Sequence, residues 1–148
     1  MIRILDIDPA TIKTAQQKGE RVIFSGGRGI VVHYVKKAVK ESMERMERAI
    51  RREFSGVHFD RGTPVAVRVV FFYHTDRKRL FGTFKGSRPD IDNLVKGLFD
   101  SITKAGIWDD DAQAQIIEAS KMYVDEGMHR NPCIELSLYD ANRMLVRQ

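Results

Sequence analysis

One cysteine, four prolines and no apolar run longer than five residues set the first limits on this chain of 148 residues. A lone Cys133 excludes an intrachain disulfide and a zinc centre built from cysteines. The longest apolar stretch, Val69 to Tyr73, is far below the roughly 18 residues that a membrane-spanning helix needs. No basic start leads into an apolar segment of signal-peptide length, so the chain reads as cytoplasmic. Nucleotide-binding loops are missing too. There is no G-x-G-x-x-G after a strand, and Ser25 to Gly29 lacks the Lys and hydroxyl residue of a phosphate loop, which leaves nucleotide hydrolysis without support. With 11 Gly, 43% hydrophobic and 30% charged residues, disorder, collagen and low complexity are excluded. The length suits a single domain over 1–148 that buries about 70% of its unfolded surface.

What is present is charge, unevenly placed. Twenty-five Lys and Arg against 20 Asp and Glu give +5, which favours a polyanion as partner. Between Asp90 and Asp111, however, six Asp and two Lys give −4, so the rest of the chain carries +9. The loop Asp76 to Arg88 alone holds Arg77, Lys78, Arg79, Lys85 and Arg88.

Periodicity places these charges on elements. Ile2, Ile4 and Ile7 suggest a short strand, and Asp8 and Pro9 open a short helix that Gly19 ends. Arg21 to Ser25 and Ile30 to Val32 flank a Gly26, Gly27, Gly29 turn and predict a hairpin. From Tyr34 to Phe54, Val35, Val39, Met43, Met46, Ile50 and Phe54 follow the helical period, with Lys36, Lys37, Lys40, Arg45, Arg48, Arg51 and Arg52 on the other faces. Val65 to Tyr73 is apolar on both rows, which predicts a central strand covered on both faces. Ile91, Leu94, Val95, Leu98, Phe99 and Ile102 define a second helix, opened by Pro89 and Asp90 and closed by Gly106. Gln115 to Val124 and Cys133 to Tyr139 read as strands joined as a hairpin through Glu126 and Gly127, with a helical or frayed tail from Asp140 to Gln148. The expected fold is α+β, a mixed or antiparallel sheet packed with two main helices.

The chemistry lies around the second helix. Asp90 and Asp92 sit in its first turn, where free N–H groups favour negative charge, so Asp90 as a cap and Asp92 paired with Lys96 is a sufficient structural reading. Three observations favour metal binding instead. Asp109, Asp110 and Asp111 are three like charges in one loop, stable only if solvated or met by a cation. Mg²⁺ uses one or two carboxylates together with water and phosphate oxygens. The basic loop runs directly into Asp90, so a phosphate chain would lie beside the carboxylates. The helix is about 20 Å long, so Asp111 reaches Asp90 only if the following strand begins near the helix start.

Arg88-Pro89-Asp90-Ile91-Asp92-Asn93-Leu94-Val95-Lys96, Phe99-Asp100, Thr103 to Trp108 and Asp110-Asp111-Ala112-Gln113 together resemble the RusA family of Holliday junction resolvases. The pattern is D-x-D-N-x-x-K on a helix, then D-D-x-Q in a loop. The match is close over Arg88 to Gln113 and looser through Lys121 and the last strand, with 64–140 the best-matching core and 1–60 divergent. The resemblance implies a small homodimeric, Mg²⁺-dependent endonuclease of a bacterium or its phage or prophage that nicks four-way DNA junctions in recombination and repair. It implies metal ligation by Asp90, Asp92 and Asp111, a catalytic need for Lys96, and a fold that brings Asp111 to the pair. Asp110 is either a further ligand or keeps the loop solvated, and Asp100 is placed to orient Lys96. Family members carry a Pro-rich, Asn-containing loop after the first strand, which this chain lacks.

Arg77, Lys78, Arg79, Lys85, Arg88 and Lys121 are candidate DNA phosphate contacts, each with a solvated surface charge as the alternative. Phe81 and Phe84 either cover the sheet edge or stack at a branch point. Trp108 suits a core anchor, and His33, His58, His74 and His129 show no metal-ligand spacing. Besides a junction resolvase, a broader branched-DNA or flap endonuclease and a non-catalytic DNA-structure-binding protein fit the composition.

Overall fold

The computed structural model describes residues 1–14, 19–34, 36–127, 129 and 131–145. The strands and helices are β1 (Ile2–Leu5), β2 (Gly19–Ser25), β3 (Arg28–Tyr34), α1 (Lys37–Glu53), β4 (Val65–Tyr73), α2 (Ile91–Lys104), β5 (Ala114–Tyr123), β6 (Cys133–Asp140) and α3 (Ala141–Leu145). This is an α+β architecture with a mixed four-stranded sheet in the order β1-β6-β4-β5 and a separate β2-β3 ribbon.

β4 is central, as its two apolar rows suggest. It runs antiparallel to β6 and parallel to β5. Val65, Val67, Val69, Phe71 and Tyr73 face α1 and α2, and form one core with Met46, Ile50, Leu94, Leu98, Ile102 and Trp108. The opposite face is not covered along its length. Ala66 and Phe72 are buried there, but Arg68 is exposed and pairs with Glu118 at 3.2 Å, with Ile2, Ile4 and Ile116 open on the same face.

The predicted β5-β6 hairpin does not form. Both strands bond to β4, on opposite edges. A parallel β4-β5 pair requires a crossover, and α2 supplies it. The predicted helix from Asp8 to Gly19 is a single 3₁₀ turn, Pro9–Thr11, capped by Asp8. It goes no further because tertiary partners take over: Arg45 Nη2 donates to Thr11 Oγ1 at 2.8 Å, and Lys13 N donates to Ser42 Oγ at 3.1 Å. The remainder of that prediction, 15–18, lies outside the described residues, as do Val35 and the end of the tail.

Other elements match their periodicity. α1 buries Val39, Ser42, Met46, Ala49 and Ile50, leaves Met43 half-buried, and lines its outside with Lys37–Glu41, Lys40–Glu44 and Arg51–Glu47 pairs. Gly26 and Gly27 both have positive φ, the geometry that closes a two-residue hairpin. The ribbon they close leaves Val22, Ile23, Phe24, Ile30 and Val31 exposed. α2 buries the predicted Leu94, Leu98, Phe99 and Ile102, and its last carbonyl, on Lys104, accepts from Arg51 at 3.0 Å.

Candidate active site

The basic loop is not loose. After a 3₁₀ turn at Lys78–Leu80 it runs along the outer edge of β5, where Tyr123 N donates to Thr83 O at 2.9 Å and Lys85 N to Lys121 O at 2.8 Å. Arg77, Lys78, Arg79 and Arg88 are exposed, and among the described residues their side chains form no ion pair. Lys85 and Lys121 differ from this group. Lys121 Nζ donates to Ser87 O and Pro89 O, both at 2.7 Å, and Lys85 Nζ donates to Arg88 O at 2.7 Å and to Ser87 Oγ. These two predicted phosphate contacts therefore hold the chain that leads into α2.

Asp90 is the N-cap of α2, yet its side chain makes no capping hydrogen bond. Asp92, in the first turn, does not pair with Lys96, although the two lie one turn apart on one face. Both carboxylates and the Lys96 ammonium are exposed and unpaired among the described residues, and Asp100, half-buried, makes no pair with Lys96 either. The plain capping reading therefore does not account for Asp90, nor the salt-bridge reading for Asp92.

The acidic loop is at the other end of the helix. Gly106, with φ of +74°, ends α2 and sends the chain back. Asp110 then caps a 3₁₀ turn, Asp111–Gln113, its Oδ1 accepting from Ala112 N at 2.8 Å. Gln113, 7% exposed, fixes the loop: its Oε1 accepts from Asp109 N, while its Nε2 donates to Asp60 O at 3.0 Å and Thr63 O at 3.2 Å. Trp108 is the expected anchor, 1% exposed, edge-on to Phe99 and donating to Thr103 Oγ1 at 2.6 Å. Asp111 is exposed and, among the described residues, unpaired.

Within one chain the expected meeting of Asp111 with Asp90 and Asp92 does not occur. β5 begins beside the C-terminal end of α2, and its far end, at Lys121, reaches the helix start. The 14 residues of α2 separate the two sets by roughly 20 Å. Among the described residues no three His, Cys, Asp or Glu side chains converge as a metal site. The donor chemistry of Asp90 and Asp92 nevertheless fits Mg²⁺, which takes one or two carboxylates and completes its shell with water and phosphate.

A family model described as endodeoxyribonuclease RusA matches residues 13–130. The chain belongs to the RusA family. It is similar to the crossover junction endodeoxyribonuclease of Lactococcus phage r1t, 41% identical over 64 residues, covering 43% of this chain and 49% of that one. It is 36% identical over 78 residues to the counterpart in Enterobacteria phage 82, covering 53% and 58%. With the RusA protein of Escherichia coli strain K12 it shares 52% identity over 40 residues, 27% and 33% of the two chains. The matched segments span from a third to somewhat over half the length of these relatives.

The remaining predicted residues fall into place around this frame. Phe81 is half-buried, whereas Phe84 is 74% exposed although its backbone pairs with Met122 at the sheet edge. His58 Nδ1 donates to Gly106 O at 2.8 Å, and His74 and His129 bond Asp76 and Glu135; the side chain of His33 lies outside the described residues. Cys133 is buried, and desolvation, with Glu135 and Asp6 nearby, pushes its thiol up to about 11. Sequence reasoning missed Gln113 as an organiser, although D-x-x-Q at Asp110 to Gln113 has the spacing of a capping box.

Proposed function

We propose that this chain is a Mg²⁺-dependent endodeoxyribonuclease that resolves four-way DNA junctions by paired hydrolysis of phosphodiesters. The observation that carries the reading is the pair Asp90 and Asp92: two carboxylates at a helix start, neither capping nor paired among the described residues, beside a basic loop. Asp90 and Asp92 would hold the ion. When bound, Mg²⁺ supplies charge that activates water for attack on the phosphorus and offsets the charge gained by the phosphate. Lys96, one turn along, is placed to stabilise that charge or to protonate the departing 3′ oxygen. Arg77, Lys78, Arg79 and Arg88 would bind the flanking phosphates and set the register of the strand.

A homodimer fits both the substrate and the separation of the carboxylates. Two-fold symmetry matches paired nicking of a symmetric junction. It would also let the partner's Asp111 join Asp90 and Asp92, which one chain keeps apart. The phage relatives fit an origin in a phage or prophage, with work done in the bacterial cytoplasm on branched DNA, by a homodimer and without a nucleotide cofactor.

The test is cleavage of a synthetic four-way junction with Mg²⁺ by the wild type and by Asp92→Asn. Symmetric nicking by the wild type and none by the variant is expected. Junction binding with no nicking by either protein would leave a non-catalytic DNA-structure-binding protein. Equal cutting of flaps and junctions would leave a broader branched-DNA nuclease.

A further inference from the structure

We propose that Lys85 and Lys121 form an internal clamp that positions Arg88 and Asp90 for reaction on a bound strand, and that their ammonium groups do not bind DNA. This rests on the reading of Asp90 and Asp92 given above. Three consecutive carbonyls, those of Ser87, Arg88 and Pro89, accept from these two ammonium groups, and the next residue is Asp90. Such charge-assisted bonds are roughly twice as strong as neutral ones. They act on a segment that has no ladder of its own and would otherwise sample many conformations.

The lysines themselves are well anchored. Lys121 projects from β5, and Lys85 is bonded to the same strand through its backbone N–H to Lys121 O. The Lys85 ammonium also lies over the Tyr73 ring, 5.3 Å from its centroid, which fixes it to the end of β4. Two strands of the rigid sheet thus hold the backbone just before the helix. With the three carbonyls committed to the lysines, the side chains of Arg88 and Asp90 are exposed. Lys121 spends two of its three N–H groups on these carbonyls and has little left for a phosphate.

Positioning and phosphate binding predict different measurements. Junction affinity is measured in EDTA across a salt series, and cleavage by a single-turnover assay started with Mg²⁺ on prebound junction. For Lys121→Met we expect the cleavage rate to fall about ten- to hundredfold, as for lost charge-assisted bonds at a reacting centre. The affinity should stay within about twofold and the salt slope should not change. Lys121→Arg, which can still bridge two carbonyls, should recover most of the rate. If Lys121→Met does not fold, Lys85→Met carries the same expectation. A weaker affinity with a salt slope reduced by about one, and a prebound junction cut at the wild-type rate, would overturn the clamp and restore Lys121 as a phosphate contact. Asp92→Asn, run alongside, separates the two ideas: if it still cuts, the reading of the site fails and the clamp with it.

Discussion

Asp92 and Asp111 stand at opposite ends of α2, both exposed and neither engaged by another side chain among the described residues. If both serve one metal, the site combines two protomers, and two inactive variants should complement each other. Asp92→Asn and Asp111→Asn alone should each lose about a hundredfold or more of the cleavage rate. Mixed and allowed to exchange subunits, they form heterodimers in which one composite site is wholly wild type. Nicking of a single strand should then return, read on a denaturing gel. No recovery after verified exchange would place each site within one chain.

Lys96 should matter for rate and not for folding. It forms no ion pair with Asp92 or Asp100 among the described residues, so Lys96→Met should change stability by less than about 0.5 kcal/mol. Single-turnover cleavage should nonetheless fall by about a hundredfold. A thermal melt together with the cleavage assay checks both halves. A destabilised but active variant would return Lys96 to a structural role.

The candidate site was legible where the signal is local. The apolar positions of α2 carry their own period, and the D-x-D-N-x-x-K pattern lies within three turns, so helix and carboxylates are found together. What could not be read depends on segments that meet only in the fold. Local spacing does not distinguish a β5-β6 hairpin from two strands on opposite sides of β4, because both give the same alternation. The internal bonds of Lys121 are likewise not legible from its charge, since its acceptors, Ser87 O and Pro89 O, lie more than 30 residues earlier in the chain. The Asp8 to Gly19 segment had helical start and stop signals, but Arg45 and Ser42 of α1 bond its backbone after one turn.

Gln113 should be the costliest single polar substitution in the acidic loop. Its amide bonds Asp109 N, Asp60 O and Thr63 O from a position 7% exposed. Gln113→Leu removes both the acceptor of Asp109 N and the donor to Thr63 O and Asp60 O, of which Asp60 O keeps its bond from Thr63 N, a loss of about 2–4 kcal/mol. Urea unfolding should show it as a lower midpoint with little change of slope. Because the loop carries Asp111, cleavage should fall further than junction binding.

Cys133 sets a pH limit on stability. Its thiol titrates at about 11 in the folded chain, raised by burial first and then by the Glu135 and Asp6 carboxylates, against about 8.5–9 when unfolded. A raised folded value means that the folded state holds the proton more tightly. The corresponding stability is fully present below about pH 8.5 and is lost as pH rises toward 11, an effect on the order of 2 kcal/mol. The thermal midpoint should therefore decline over that interval, and Cys133→Ala, although destabilised at every pH by the cavity it leaves, should decline less. The same burial predicts that iodoacetamide modifies Cys133 slowly at pH 8 and faster in urea, since the thiolate is the reactive form. An equal decline in wild type and variant would assign the alkaline transition to other groups, of which Tyr73, its hydroxyl raised by burial and by Asp8, is the first to examine.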